Sequence, residues 1–174
     1  MKKTILYLAF LLAAVRGYSQ WNQQNSGTSN SLDEVYFINQ DTGFVAGSTV
    51  ILKTTDGGSN WQTSYSGNFG LEGIYFSTAT NGFAVGVDGN TGNALIIKTI
   101  DGGNTWVSIN LTMSAILTDV FFVNSSIGFI VGDNGIALRT TDGGSVWDTL
   151  NTGTTSILQG VFFTDSQNGF IVGG

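Results

Sequence analysis

The chain has 174 residues, of which 25 are glycine and none is histidine, cysteine or proline. The absence of His and Cys removes the commonest general base and the thiol nucleophile, and it rules out disulfides. Twelve acidic residues against six basic ones give a net charge of −6, which argues against nucleic acid as a partner because an acidic chain repels phosphate backbones. Glycine and asparagine recur between runs of Val, Ile and Phe, which favours many short strands joined by tight turns.

The start of the chain has the pattern of a secretory signal peptide. Two lysines precede the apolar run Ile5–Val15, and Gly17 and Ser19 occupy the −3 and −1 positions of a cleavage site. We predict a signal peptide over residues 1–19 and a mature chain over 20–174, whose three cations and twelve acidic residues give a net charge of −9. The run is shorter than the roughly 20 residues of a membrane span, so no transmembrane segment is expected in the mature chain; an uncleaved signal anchor is the alternative. The protein is thus expected to be secreted, or to reach the cell surface or periplasm.

A repeat with a period near 40 residues organises the rest of the chain. Four similar segments begin with leucines that are 39, 46 and 41 residues apart, and each is followed by Gly-Phe-x-x-Gly. Such a period, built from short strands, predicts an all-β fold: a β-propeller of four-stranded antiparallel blades. The segments are Leu32–Phe37, Leu71–Phe76, Leu117–Phe122 and Leu158–Phe163.

Within the first repeat, a second strand is predicted at Phe44–Ala46, a third at Val50–Thr54 and a fourth from Trp61. Gly47 is expected to close the second strand at a turn position with positive φ, which glycine adopts without a Cβ clash. In the third repeat Asn134-Gly135 predicts a tight hairpin, and the second repeat lengthens the same hairpin to Val87–Asn93.

The two ends of the chain do not match each other. Trp21 has the spacing of a fourth strand, so residues from 21 are predicted to complete a closing blade, with blades starting at residues 32, 71 and 117 and an incomplete blade from 158. These sum to about three and a half blades, whereas a propeller ring has 4–8. We therefore expect a C-terminally truncated piece of a longer ring; half-rings that close by self-association are the alternative.

One motif, Thr-x-Asp-Gly-Gly-x-x-Trp, occurs three times, and we call each copy an Asp-Gly-Gly turn: Thr54–Trp61, Thr99–Trp106 and Thr140–Trp147. It resembles the Asp-box, or bacterial neuraminidase repeat, Ser/Thr-x-Asp-x-Gly-x-x-Trp. The whole repeat is most similar to the propeller family of the photosystem II assembly and stability factor. The resemblance implies that the box lies on the blade rim between the third and fourth strands, where it determines the fold and is remote from the ligand face. Its matching residues are Thr54, Asp56, Gly58, Trp61, Thr99, Asp101, Gly103, Trp106, Thr140, Asp142, Gly144 and Trp147.

The chemistry of the motif agrees with a structural role. The Asp carboxylate is expected to accept backbone N–H bonds from the residues ahead of it, the glycines let the backbone curl over it, and the Trp packs beneath the turn. The turns do not have the alternating oxygen ligands of an EF-hand, so no metal is expected there. The hairpin tip with Asp88, Asn90 and Asn93 offers a single carboxylate, and a solvated loop is the favoured interpretation.

Catalytic residues are hard to assign. Sialidases of this repeat family hold the substrate carboxylate with an arginine cluster, whereas only Arg139 follows residue 19 here. It shares its repeat position with Lys53 and Lys98, which indicates an architectural role near the rim, with the stem covering apolar neighbours. Carboxylates on the first strands would line the central channel, where we expect them to be solvated: Asp33, Glu34 and Asp119.

The sequence thus predicts an exported, non-catalytic propeller that acts as a binding or scaffolding module. Its partner is expected to be a protein or a glycan, bound at blade-face loops or the central funnel, with no cofactor. One alternative is a secreted sialidase-like glycoside hydrolase whose catalytic residues lie outside this segment. Another is the outer domain of a cell-surface adhesin.

Overall fold

The computed structural model describes residues 23–174, so the predicted signal peptide and the predicted strand at Trp21 lie outside the described residues. No helix in 23–174 is long and apolar enough to cross a membrane. The described part of the chain contains one 3-10 turn, Asp133–Gly135, and twelve strands: β1 Leu32–Phe37, β2 Gly43–Thr54, β3 Gln62–Phe76, β4 Gly82–Asp88, β5 Ala94–Thr99, β6 Val107–Asn110, β7 Leu117–Phe122, β8 Gly128–Gly132, β9 Ala137–Thr140, β10 Asp148–Leu150, β11 Leu158–Phe163 and β12 Gly169–Gly173.

The strands pair only with antiparallel neighbours, in three sheets. The order is β1 to β6 in the first sheet, β10-β9-β8-β7 in the second and β11-β12 in the third. The first blade holds β1, β2 and the start of β3; the second holds the end of β3 with β4, β5 and β6; the third is β7 to β10. The prediction of an all-β fold with four-stranded antiparallel blades is confirmed.

Strand β2 contains two of the strands predicted for the first blade. Its residues 43–47 pair with β1 and its residues 50–53 pair with β3. The Lys53 ammonium lies 5.6 Å from the centre of the Phe44 ring, although nine residues of straight strand would separate them by about 30 Å. The chain therefore reverses within β2, at Ser48-Thr49, where Thr49 has a φ of 66°.

The role predicted for Gly47 is wrong. Its φ is not positive, and Thr49 takes the left-handed conformation of this turn instead. Gly47 pairs with Leu32 beside a β-bulge, where a Cβ would collide with the carbonyl group of Ser31. Close backbone approach, and not turn geometry, requires glycine here and at the equivalent positions Gly86, Gly132 and Gly173.

The hydrophobic core lies between successive blades. One cluster joins Phe44 and Ile51 of the first blade to Leu71 and Phe76 of the second. The next cluster joins the second blade to the third, and a smaller one joins the third blade to β11. Strands β5 and β8 are buried almost throughout because both faces contact neighbouring blades, which explains their continuous apolar sequences.

The first strands of the blades lie side by side: β1 contacts β3, β3 contacts β7, and β7 contacts β11. We call these first strands, with residues 71–76 of β3, the inner strands. The ring of Tyr36 lies 5.1 Å from that of Tyr75, and the rings of Phe121 and Phe162 lie 5.0 Å apart. Each tyrosine hydroxyl donates to a backbone carbonyl of the following blade, that of Phe76 or Phe122, at 3.0 Å. Partial burial raises the pKa of both tyrosines.

Candidate functional site

The three Asp-Gly-Gly turns share one hydrogen-bond pattern, centred on a threonine that is 1% exposed in each case. The Thr54 hydroxyl donates to the carboxylate of Asp56 at 2.8 Å and accepts the Gly58 N–H at 3.0 Å. Thr99 and Thr140 make both bonds at 2.9 Å in their own turns. The buried hydroxyl is thus fully paired, as a polar group removed from water requires.

The aspartate of each turn accepts N–H groups from the residues that follow it. Asp56 accepts from Asn60 N at 2.9 Å, and Asp101 accepts from Thr105 N at 2.9 Å. These bonds favour the ionised carboxylate. The Asn60 side chain is the main cause of the lowered pKa of Asp56, and the Thr105 hydroxyl is the main cause for Asp101, whose pKa falls to about 2. The backbone N–H of Val146 lowers the pKa of Asp142 in the same way.

The tryptophan of each turn packs against aromatic side chains of the blades, and the three tryptophans differ in how deeply they are buried. Trp106 is 8% exposed and packs edge-on against Phe44 of the preceding blade, with ring centres 6.1 Å apart. Trp147 packs likewise on Phe83 at 6.2 Å. Trp147 and Trp61 are only half-buried, and Trp61 packs edge-on against Phe37. The second and third turns are therefore contacts between blades.

A lysine of the preceding blade completes each of these contacts. The Lys53 ammonium donates to the carbonyl oxygen of Gly102 at 2.7 Å, and Lys98 donates to that of Gly143 at 2.8 Å. Lys98 also lies 5.3 Å from the Phe83 ring centre. The sequence indicated an architectural role for this position but not its partner, because the acceptor lies 45 or more residues away in the next blade. What the sequence does show is that a Lys or Arg stands three positions before the aspartate of every turn, which points to a repeated structural role.

The hydroxyl of Ser64 makes two further hydrogen bonds between the first two blades, and neither has a counterpart between the second and third blades. Its hydroxyl donates to the Gly103 carbonyl at 2.6 Å and accepts Trp106 Nε1–H at 2.9 Å. The position three residues after the turn tryptophan is Ser64 in the first blade and Ile109 in the second. Within residues 23–174, Trp147 Nε1 is accordingly buried without a hydrogen-bond partner.

A cleft of about 380 Å³ opens on the inner strands. Asp119 is part of it, but the expectation that this carboxylate is solvated is wrong. It is only partly exposed, accepts the N–H groups of Val120 at 2.7 Å and Val161 at 2.8 Å, and so ties β7 to β11. Burial raises its pKa, and the charge of Glu34 adds to the effect. The cleft is lined by Glu34, Glu72, Thr118, Asp119, Ile157 and Gln159.

In two other candidate sites the charged side chains already make hydrogen bonds within the protein. A rim cleft of about 390 Å³ between the first two turns includes Lys53 and Asp56, which are both held by the turn bonds described above. At the long hairpin tip, Asp88 accepts the N–H groups of Asn90 and Thr91, and the Asn90 side chain accepts from Asn68. No group of three or more acidic side chains within residues 23–174 is arranged to hold a metal ion.

A family profile described as Photosynthesis system II assembly factor YCF48 matches residues 13–112 and again residues 104–174. The chain belongs to the YCF48 family. The family resemblance drawn from the three turns and the Gly-Phe-x-x-Gly units is thereby confirmed. The comparison with curated proteins found no match.

Solved structures with a similar fold include YCF48 members and glycoside hydrolases. YCF48 bound to D1 peptide has a TM-score of 0.69 and 21% identity, covering 82% of this chain and 46% of that chain. YCF48 from Cyanidioschyzon merolae has a TM-score of 0.64 and 17% identity, covering 83% and 48%. The Niastella koreensis GH74 enzyme has a TM-score of 0.61 and 17% identity, covering 82% and 26%. This likeness concerns the fold, and the chain spans about half the length of the two YCF48 structures.

Proposed function

We propose that this YCF48-family chain is part of an exported, non-catalytic propeller that binds a polypeptide segment of a partner protein. The observation that carries the proposal is the cleft on the inner strands, found in a member of a family for which a peptide-bound structure of similar fold exists. Its volume of about 380 Å³ falls within the range of about 300–1,000 Å³ that is usual for ligand clefts.

The chemistry of the cleft favours a segment with cationic side chains. Glu34 and Glu72 are exposed on neighbouring inner strands, and the cleft lining includes a third carboxylate but no Lys or Arg. The amide of Gln159 and the hydroxyl of Thr118 can pair with peptide groups. Complementary charge of this kind contributes to specificity and to the association rate.

The proposal that the chain is non-catalytic rests on the surroundings of Asp119, the candidate catalytic acid, and of Arg139, the candidate cation for a substrate carboxylate. Both carboxylate oxygens of Asp119 accept backbone N–H bonds, so this residue is engaged in joining two inner strands. Arg139 lies over the Phe129 ring, 5.9 Å from its centre, on strands outside the inner series. A glycoside hydrolase is the second candidate because the fold is shared with GH74 enzymes. The third candidate, an adhesin domain, would also bind its partner at the inner-strand cleft.

Calorimetric titration of the chain with a lysine-rich synthetic peptide tests the binding proposal. Binding is expected to weaken when every lysine of the peptide is replaced by glutamine, and to weaken in the Glu34→Gln and Glu72→Gln variants. Asp41→Asn is the matched control, since it removes one exposed carboxylate outside the cleft. Equal affinity for both peptides would contradict the proposal, and hydrolysis of a β-glucan or sialoside would favour the enzyme.

Export is a separate part of the proposal. The supporting pattern is the basic start, the apolar run and the small residues before Gln20. Expression of the chain in a secreting host, followed by N-terminal sequencing, is expected to give a mature protein that starts at Gln20. Retention of Met1 on the exported or membrane-bound protein would contradict cleavage after Ser19.

A further inference from the structure

Each inner strand has a β-bulge directly after its leading leucine, and the residue that follows the bulge differs between blades. These four residues are Glu34, Gly73, Asp119 and Gly160. A carboxylate side chain therefore alternates with glycine along the series of inner strands. Because β7 contacts both β3 and β11, Asp119 has a glycine beside it on each adjacent inner strand. Bulges commonly re-aim side chains next to functional sites.

The two glycines leave space beside Asp119. A Cβ on Gly160 would lie 3.9 Å from Asp119 Oδ2, and a Cβ on Gly73 would lie 3.2 Å from the Asp119 Cα. A larger side chain at either position would therefore cover this residue. With glycine on both sides, the carboxylate borders the inner-strand cleft, of whose lining it is part.

The Asp119 carboxylate has capacity for a further hydrogen-bond donor. Its Oδ1 accepts the Val120 N–H at 2.7 Å, and its Oδ2 accepts the Val161 N–H at 2.8 Å. An ionised carboxylate offers about four lone-pair sites, so each oxygen can accept one more bond. An ammonium, or the two parallel N–H groups of a guanidinium, matches this capacity.

The charged groups around Asp119 are acidic. Glu34 on β1 and Glu72 on β3 belong to the same cleft lining, and Tyr75 of β3 donates its hydroxyl to a backbone carbonyl. The neighbouring strands β8 and β11 contain no titratable residue, and β4 contains only Asp88. The three cations of residues 23–174 all stand three positions before a turn aspartate, outside this lining. A positive charge that compensates Asp119 would therefore come from a ligand.

We propose that Asp119 anchors one lysine or arginine side chain of the segment that binds in the cleft. This inference rests on the proposed function and adds the residue that receives the cationic group. The cationic group would enter between Gly73 and Gly160 and donate to the remaining lone pairs of the carboxylate. An ion pair at this partly buried position is stronger than one in open solvent, whereas Glu34 and Glu72 would attract the segment at longer range.

The anchoring contact requires the ionised form of Asp119, which makes binding depend on pH. Burial raises the pKa of Asp119 in the free protein, and the charge of Glu34 adds to this effect. A bound cation favours the ionised carboxylate, so binding is expected to lower the same pKa. By linkage, the affinity is complete above the pKa of the free protein and falls as the pH drops through it toward the pKa of the complex.

An NMR pH titration of the Asp119 carboxyl carbon tests the anchor, with the chain alone and saturated with the lysine-rich peptide. The peptide is expected to lower the titration midpoint of Asp119 by about 1 pH unit or more, which corresponds to a loss of affinity of about tenfold or more over that range. Asp165, which follows the opposite end of β11, is the internal control and should move much less.

The outcomes separate the anchor from the cleft itself. A peptide that binds but moves the midpoints of Asp119 and Asp165 equally would overturn the anchor and leave binding at the cleft intact. A chain that does not bind the peptide at all would overturn both proposals.

A variant that keeps the carboxylate gives an independent test. Gly160→Val places a branched side chain beside Asp119; the φ of Gly160 is not positive, and the nearest obstacle is the exposed side chain of Val172. We expect the affinity for the lysine-rich peptide to fall about tenfold, with circular dichroism showing a folded chain. Thr155→Val, at an exposed position outside the cleft, is the matched control and should bind normally. Wild-type affinity in Gly160→Val, with the full shift of the Asp119 midpoint, would refute the anchor.

Discussion

Ser64→Ala removes a single hydroxyl at the contact between the first two blades. That hydroxyl accepts Trp106 Nε1–H at 2.9 Å and donates to the Gly103 carbonyl at 2.6 Å. The substitution leaves a nearly buried indole N–H without an acceptor and takes one donor from the carbonyl. We expect it to destabilise the chain by weakening the docking of the second turn on the first blade.

The magnitude follows from what is left unpaired. A buried donor without a partner costs about 1–3 kcal/mol, and an ordinary hydrogen bond contributes about 0.5–1.5 kcal/mol. Ser64 is half-buried, so water can compensate the Gly103 carbonyl more readily than the indole of Trp106, which is 8% exposed. The expected loss in the free energy of unfolding is therefore about 1–3 kcal/mol, mostly from the indole.

Urea unfolding followed by tryptophan fluorescence and circular dichroism measures this loss. Thr63→Ala, at the exposed neighbouring position, is the matched control and should change the midpoint little. Trp106→Phe removes the indole N–H, so Ser64→Ala should cost much less in that background. The reasoning is refuted if Ser64→Ala is neutral in the wild-type background, or if its cost is the same with Phe at position 106.

Three further perturbations address other contacts between blades and within the turns. Phe121→Tyr places a hydroxyl where Tyr75 donates to a carbonyl one blade earlier, so it should reach the Phe163 carbonyl and raise the free energy of unfolding by about 0.5–1.5 kcal/mol; an unchanged urea midpoint would contradict this. Lys98→Met should lower the free energy of unfolding by about 1 kcal/mol, because the hydrogen bond to the Gly143 carbonyl is lost. An unchanged free energy of unfolding would show that water can replace the ammonium at that carbonyl. The lowered pKa of Asp101, about 2, means that its ionised form stabilises the fold above the unfolded pKa near 3.8 and that this contribution is lost as the pH falls toward 2; Asp101→Asn should flatten the midpoint–pH curve over that range, and parallel curves would argue against it.

The repeat made most of the fold predictable. The four leucine-led segments recur about every 40 residues, and the Asp-Gly-Gly turns recur with them. The hydrogen bonds inside each turn join residues that are close in sequence, so the local sequence is enough to predict them. The turn interactions of Thr54 and Asp56 involve residues no more than four positions apart, so residue type and spacing were sufficient to anticipate an aspartate that accepts N–H groups.

The contacts between blades could not be predicted from the local sequence. The acceptor of Lys53 lies 49 residues away, and nothing in the local sequence distinguishes the Gly102 carbonyl from that of any other glycine. The burial of Asp119 depends on the approach of Val161, 42 residues later, which a channel-lining strand does not imply. The prediction for Gly47 was wrong for a related reason, since its constraint comes from the backbone of Ser31, which directly precedes the adjacent strand β1.

The continuous strand β3 has a mechanical consequence. Residues 62–66 pair with β2 in the first blade and residues 69–76 pair with β4 in the second, and a register shift against β2 separates the two parts of this one strand. Tension applied at the inner end of β3 would therefore be carried along a single strand to the outer part of the preceding blade. Between the second and third blades, residues 111–116 form no strand. Bending between neighbouring blades would therefore concentrate at residues 111–116, where no strand links the second blade to the third.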